Sequence, residues 1–338
     1  MKPITSKLEN YGTSIFMTSQ EKQVPSTPPM ADYSHLVAVL IPCKNEELAI
    51  SEVIVQFRKE LPDAEIIVCD NNSTDRTAEV ARTAGAKVLF ESRAGKGNAI
   101  RKLFGATNRD ICVMVDGDAT YTSADIHKLI QPVISGDADM VVGRRVTPEQ
   151  NLNKAYRIGH QLGNLSFSWA MSTMFKYPLV DVFSGYRVMS KRFVKSFPCL
   201  SSGFEIETEL TVHALDLGLS LVEIDSIYGS RTDGSVSKLN TLRDGSRIAL
   251  ILLHLFAQVK PMRFYGLISI VLAVASLILG IPVILDFVKS GLVPRFPTAI
   301  LASAVMLLSA LTLGAGLILD SVSRGRKETK RLFYLSLN

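Results

Sequence analysis

The stretch ICVMVDGDAT, Ile111–Thr120, runs an apolar segment straight into two carboxylates. Ile111–Val115 has the length and branching of a strand buried on both faces. Asp116-Gly117-Asp118 then falls just past that strand's carboxyl end, where ligands bind in open α/β sheets. Alternation lets Asp116 and Asp118 face one way, and Gly117 leaves room for a close ligand. Two carboxylates on one side suit a hard divalent cation that also binds phosphate oxygens. Alone, Asp-x-Asp is equally the pattern of a turn or a helix cap, so the flanking chain has to decide.

The flanks alternate between strand and helix patterns. Leu36–Ile41 reads as a buried strand stopped by Pro42, with Asn45 capping a helix over Glu46–Glu60. Strand Glu65–Cys69 ends in Asp70. The polar turn Asn71–Asp75 leads to a helix near Arg76–Ala84, and Lys87–Phe90 is a short third strand. Gly95-Lys96-Gly97-Asn98 opens a helix to about Thr107. Beyond the central strand come a helix at Ser123–Ile134 and a strand at Asp139–Val142. A helix lies within Asn151–Phe175, and Asp181–Arg187 is a loop entering a strand. A helix at Phe204–Leu217 and a strand at Leu219–Ile224 complete the pattern.

This alternation predicts βαβ units and an α/β fold with a mostly parallel sheet. Asn45, Glu46, Asp70, Asp116 and Asp118 then gather at one sheet edge, where helix N-termini favour phosphate. A nucleotide fits there. Carboxylates accept from base N–H and ribose hydroxyls, a metal neutralises a diphosphate, and Lys96 can face phosphate. Asp70 and Asp75 serve equally as helix and turn caps, His213 reads as structural, and Trp169 as packing or interfacial. Neither G-x-G-x-x-G nor G-x-x-x-x-G-K-[ST] occurs, so dinucleotide oxidoreductase and P-loop readings lose their main support.

The chain has 338 residues and a formal charge of +5. Its mean hydropathy of +0.22 is high for a soluble enzyme, and the apolar excess lies after residue 263. Phe264–Leu285 and Phe296–Leu319 are each long enough to span a hydrocarbon core of ~30 Å. The connector Asp286–Arg295 makes them a hairpin. Lys260 and Arg263 precede the first span, and Arg324, Arg326, Lys327, Lys330 and Arg331 follow the second. That bias places both ends and the catalytic domain in the cytoplasm. Basic residues beside apolar runs favour an anionic membrane surface, and no nucleic-acid motif appears. Leu239–Val259 is amphipathic, with Arg243 and Arg247 on its polar side, and reads as an interfacial or a core helix. Met1–Ser34 is polar and proline-containing, reads as a flexible extension, and lacks the apolar core of a signal peptide. Cys43, Cys69, Cys112 and Cys199 form no C-x-x-C pair and read as reduced, buried hydrophobes. The domain plan is an extension at 1–34, a catalytic domain at 35–238, amphipathic helices at 239–262, spans within 263–320 and a basic tail at 321–338. Gly314 and Gly316 are compatible with helix packing and a homo-oligomer.

With these residues in place the chain resembles the family 2 glycosyltransferases, in particular the polyprenyl-phosphate (dolichyl-phosphate mannose synthase-like) members. Seven motifs carry the likeness across Leu36–Lys238. They are Ile41–Glu47, Val68–Thr77, Gly95-Lys96-Gly97, Asp116-Gly117-Asp118, Val142–Arg145, Ser184–Arg187 and Arg231–Lys238. The resemblance implies a GT-A, Rossmann-like fold with a UDP- or GDP-sugar donor and Mg²⁺ or Mn²⁺. Pro42, Asn45, Glu46, Asp70, Asn72, Lys96 and Asp116 would line the nucleotide-sugar site. Asp118, with Asp116, would take the metal. Arg145 and Arg157 would hold the acceptor phosphate, and Arg231, Ser237 and Lys238 would belong to a closing loop. Two positions depart from the family: Lys44 stands where an aromatic is common, and Thr120 where many members carry Gln.

The chemistry expected is inverting transfer of a hexose to undecaprenyl or dolichyl phosphate. A phosphate monoester is already largely dianionic at neutral pH, so a strong general base is unnecessary. Bringing two anions together is the harder problem, and arginine forks with a metal address it. The hairpin is expected to keep the site near the headgroup layer. Three alternatives stay open: a different membrane acceptor, a processive polysaccharide synthase, and a non-catalytic nucleotide-sugar-binding scaffold. The synthase is disfavoured because Ser168, not Arg, precedes Trp169 and two spans make no obvious channel.

Overall fold

The protein's structure, a computed structural model, describes residues 33–147, 158–203, 205–229, 250 and 253–337, with 158–166 described by backbone alone. Seven strands build one sheet: β1 (Val37–Cys43), β2 (Glu65–Asp70), β3 (Lys87–Phe90), β4 (Ile111–Met114), β5 (Met140–Val146), β6 (Arg187–Ser190) and β7 (Leu221–Ile227). Their order is β3-β2-β1-β4-β6-β5-β7. β6 runs antiparallel to β4 and β5, and every other pairing is parallel. The α/β, mostly parallel expectation is met. All seven β1 residues and all four β4 residues are buried, as continuous apolar strands covered on both faces should be.

The covering helices are α1 (Ile50–Glu60), α2 (Thr77–Thr83), α3 (Lys96–Ala106), α4 (Ile126–Ile134), α5 (Ile158–Phe175), α6 (Lys191–Ser196) and α7 (Ile206–Leu217). One core cluster joins α3, β1, β4, α5, α6 and α7 through Leu40, Leu103, Met114, Phe167, Phe193 and Leu210. The six-residue α6 escapes any periodicity test. Its signal is local: the Ser190 side chain accepts from the Phe193 amide at 3.2 Å and caps it.

Two sequence expectations fail at the end of β1. Pro42 does not stop the strand but sits inside it opposite Cys69, and the Asn71 amide still reaches the Cys43 carbonyl at 2.8 Å. A proline forfeits one donor, and the neighbouring residues keep the ladder going. Asn45 does not cap a helix at Glu46 either. α1 starts at Ile50, preceded by Ala49, which makes no side-chain cap bond. Asn45 adopts φ 53°, accepts from the Thr74 amide at 2.8 Å and donates its own amide to Ser73 Oγ at 3.0 Å. The Glu46 amide meets Thr77 Oγ1 at 2.8 Å, and the Glu47 amide meets Asp75 Oδ2 at 3.2 Å. The loop after β1 is thus stitched to the turn after β2, and those tertiary bonds displace the local cap.

After β7 come α8 (Pro261–Ser290) and α9 (Phe296–Ser336), both long and apolar enough to cross a membrane. Buried Ser269, Ser276 and Val283 on α8 face buried Ala302, Ser309 and Gly316 on α9. Both sets repeat every seven residues, the period of a left-handed pair. Ser269 Oγ donates to the Ser309 carbonyl at 2.9 Å, and Ser309 Oγ returns the bond at 2.8 Å. Small and hydroxylated residues let the backbones approach closely and satisfy each other. The connector shortens to residues 291–295, and α9 runs on without a break through most of the expected basic tail.

Part of the sequence reading lies outside the described residues: nearly all of the extension Met1–Ser34, Arg157, Phe204, the loop bearing Arg231, Ser237 and Lys238, and Arg243 and Arg247 of the amphipathic segment. Residues 253–259 of that segment are helical, and Leu255 packs on the core.

Candidate active site

β4 ends at Met114, the Val115 amide still reaches the Leu40 carbonyl at 3.2 Å, and the chain then turns through Asp116–Thr120. A Cβ on Gly117 would lie 2.3 Å from Cys43 Sγ, so any larger residue would have to push that thiol aside. The ends of β1 and β4 therefore touch. The Cys43 thiol sits among Glu46, Asp116 and Asp70; burial first, then these carboxylates, push its pKa well above the ordinary thiol value. It is inert, as all four buried free cysteines are expected to be.

Asp118 is 5% exposed, and its Oδ1 accepts from Thr120 Oγ1 at 2.6 Å. Thr120, two residues on, orients the second aspartate. Asp116 makes a different bond: Lys96 Nζ, at the start of α3, lies 2.5 Å from its Oδ1 and 2.6 Å from Glu207 Oε1. Burial alone would pull the Lys96 ammonium down, but Asp116 and Glu207 outweigh it and hold its pKa above the usual lysine range. One ammonium shared by two carboxylates leaves a net negative charge. Burial pushes the Glu207 carboxyl up, and its Oε2 is buried without a hydrogen-bond partner. Sequence reading missed Glu207. Its only signal is a carboxylate on the face of α7 that carries Leu210, Thr211 and Ala214, all buried.

The turn before β6 closes on the first aspartate. A Cβ on Gly185 would fall 2.3 Å from Asp116 Oδ2. Ser184 Oγ donates to the Gly143 carbonyl at 2.6 Å, and the Gly185 amide donates to Tyr121 Oη at 2.9 Å. Fully buried Arg187 ties the motif together through the Ser184 and Val182 carbonyls and Thr211 Oγ1. Arg187 is thus a structural knot of the Ser184–Arg187 motif.

Arg145, near the end of β5, is held by Asp181 in a two-pronged pair, Nε to Oδ2 and Nη2 to Oδ1, both 2.7 Å. Asp181 is 3% exposed; burial would raise its carboxyl, but Arg145 keeps it below the usual carboxylate range. Glu223 on β7 fixes the Asp181 backbone by accepting its amide at 3.0 Å. The Arg145 guanidinium lies 5.6 Å from the centre of the Tyr228 ring. Tyr228 joins the Asp116–Asp118 turn through a bridge to Tyr121, and the Gly229 amide donates to the Thr120 carbonyl at 2.8 Å. The residues that lead into the expected closing loop are therefore anchored on the aspartate turn.

On the opposite flank, Asp70 closes β2 and accepts the Ser73 amide at 3.1 Å, while Asp75 accepts from Thr77 at the start of α2. Both aspartates make the turn and cap bonds that were one of their two readings. Asn71, which sequence reading did not single out, links β2 to the approach to Lys96, donating to the Arg93 carbonyl and accepting the Gly95 amide, each at 2.7 Å. Loop Leu200–Ser202 lies over that approach. The Gly97 amide donates to the Ser202 carbonyl at 3.0 Å, and Glu209 accepts the Leu200 and Ser201 amides. Pro42, Glu46, Asp70, Lys96, Asp116 and Asp118 thus share the carboxyl edge of β1, β2 and β4. Asn45 is spent on the stitch to Ser73 and Thr74. His213 is buried between Phe193 and Phe197, and Trp169 is 71% exposed, so it does not pack into the core.

Residues 38–196 match the model of the family described as glycosyl transferase family 2. The chain is 30% identical to the glycosyltransferase AglJ of Haloferax volcanii over 303 residues, 88% of this chain and 97% of that one. It is 52% identical to an uncharacterized protein of Shigella flexneri over 153 residues, 45% of this chain and 94% of that one. Among solved structures, glucosyl-3-phosphoglycerate synthase of Mycobacterium tuberculosis, crystallised with Mn²⁺, UDP and glucosyl-3-phosphoglycerate, superposes with a TM-score of 0.54 at 21% identity. That superposition covers 69% of this chain and 85% of the synthase and establishes the shared fold.

Proposed function

The chain belongs to glycosyl transferase family 2, and on that premise we propose that it transfers a hexose from a UDP- or GDP-sugar to polyprenyl phosphate. The observation that carries the acceptor is the union, in one compact unit, of the Asp116–Asp118 site with a two-helix apolar hairpin. A soluble acceptor needs no such hairpin.

Asp70, Glu46 and Pro42 frame the pocket for the base and ribose. Asp116 and Asp118 supply hard carboxylate oxygens that fit Mg²⁺ or Mn²⁺. Among the described residues no group of three His, Cys, Asp or Glu is placed to hold a metal, so Asp116 and Asp118 would hold the ion together with the bound donor. The ion, when bound, offsets charge on the departing diphosphate. Lys96 adds a fixed positive charge beside Asp116, and Glu207 Oε2 is an acceptor suited to a sugar hydroxyl. Arg145, held rigid by Asp181, supplies a fixed positive charge for the acceptor phosphate. The acceptor phosphate attacks the anomeric carbon in line, the bond to the diphosphate breaks, and configuration inverts. Arg157, Arg231, Ser237 and Lys238, outside the described residues, are assigned by the family resemblance to the same acceptor phosphate and its closing loop. Arranged charge, more than a base, lowers the barrier.

The test is transfer from a panel of labelled UDP- and GDP-sugars to a short polyprenyl phosphate in detergent, with and without EDTA. One donor should give an EDTA-sensitive lipid-linked product. Asp118→Asn should reduce that product by about 10²–10³-fold, the usual cost of losing one preorganised transition-state contact. Donor binding without lipid product would move the acceptor elsewhere. Normal metal-dependent transfer by Asp118→Asn would remove the metal assignment.

A further inference from the structure

α9 is 41 residues long, or about 61 Å at 1.5 Å per residue, twice the ~30 Å of a bilayer core. Its residues past Leu319 therefore project as a rigid rod of roughly 25 Å. The rod is docked. Tyr334 is 3% exposed; its hydroxyl donates to Asp139, and the Arg192 guanidinium lies 4.3 Å from the centre of its ring. Arg331 donates to the Leu217 carbonyl at the end of α7, and Lys327 lies 3.9 Å from Asp216. Lower down, Ser323 Oγ donates to the Gln258 carbonyl at 3.2 Å.

These partners share one location. Asp139 precedes β5, Arg192 follows β6, which runs the other way, and Leu217 ends α7. All sit at the sheet edge opposite Asp116 and Asp118. The hairpin is thus tied, through the end of α9, to the sheet edge opposite Asp116 and Asp118. α7 connects the two edges. Glu207 in its first turn holds Lys96, and its last carbonyl, beside the left-handed Gly218 cap, receives Arg331. A cation at a helix C-terminus satisfies open carbonyls and the dipole together.

We propose that residues 320–336 of α9 are a strut that fixes the height and orientation of the catalytic domain over the bilayer, acting through Tyr334, Arg331 and α7. The inference rests on the membrane and lipid-acceptor reading above. It predicts that the strut matters for an acceptor embedded in a membrane and not for one free to diffuse into the site.

The test uses the full chain carrying Tyr334→Ala with Arg331→Ala, and the milder Tyr334→Phe, which keeps the ring over Arg192. With a short polyprenyl phosphate in detergent, the double variant should match wild type in donor KM and rate within about twofold. With a long-chain acceptor in liposomes, its rate should fall about tenfold or more, as misplacement of reacting groups costs, and Tyr334→Phe should fall in between. Equal losses with both acceptors, or no loss with either, would overturn the strut. A second readout is independent of the acceptor. Energy transfer from a dye on Gln131→Cys to headgroup-labelled lipid reports domain height, and the four native cysteines are buried. The double variant should change that signal, and an unchanged signal overturns the strut. If wild type transfers to no polyprenyl phosphate while the height signal still responds, the acceptor reading fails and the strut stands.

Discussion

Lys96 shows how little charge has to be placed for the site to be organised. One ammonium, held above its ordinary pKa by Asp116 and Glu207, joins the aspartate turn, the start of α3 and the start of α7. Sequence reading located Lys96 and Asp116 because glycines and a strand end mark them. Glu207 was invisible because its partner lies 111 positions away, and only folding brings the two together. Asp181 was likewise read only as part of a loop entering a strand, although it is what makes Arg145 rigid. His213 belongs to the same scale. Burial, then Lys330 on the strut, lowers its pKa from 6.5 to about 4. A depressed histidine is neutral in the fold, so its contribution is complete above pH 6.5 and is lost as pH falls toward 4. Unfolding measured from pH 7 to 4.5 should show a loss that approaches about 3 kcal/mol at full protonation of the unfolded chain. His213→Gln should flatten that dependence, and an unchanged slope would place the acid sensitivity elsewhere.

At the scale of the element, glycines separate positions that one helix makes look alike. α3 contains Gly97 and Gly105. A Cβ on Gly97 would lie 2.1 Å from the Ser201 carbonyl oxygen, whereas Gly105 has nothing within 4 Å. Gly105→Ala should therefore raise the melting temperature, by up to about 1 kcal/mol of helix propensity. Gly97→Ala should force the Leu200–Ser202 loop away, at about 1–3 kcal/mol of overpacking, and raise the donor KM several-fold. Differential scanning and donor titration of the two variants, side by side, decide it. Helical pattern alone gives both glycines the same propensity penalty. The failed Asn45 cap has the same root: local preference points to a helix at Glu46, and bonds to Ser73 and Thr74 from the neighbouring turn override it.

For the whole molecule, the hairpin has a seam of its own, with Ser269, Ser276 and Val283 against Ala302, Ser309 and Gly316. The flanking charges predict that the connector at 291–295 faces away from the cytoplasm. A membrane-impermeant maleimide should label Leu292→Cys, which is 70% exposed, in intact cells and Gln131→Cys only after lysis. The reverse pattern would invert the topology. The order of the strands and of every helix but α6, the carboxylate turn at the end of β4 and the two apolar spans follow from sequence alone. Each is a local pattern of period and composition, written in neighbouring residues. The antiparallel β6, the sharing of Lys96 by Asp116 and Glu207, the clamping of Arg145 by Asp181 and the docking of Tyr334 on Asp139 were decided only by tertiary structure. Each joins residues far apart in the chain, and a buried ion pair or hydrogen bond exists only once the apolar core has brought its partners together and excluded water from between them.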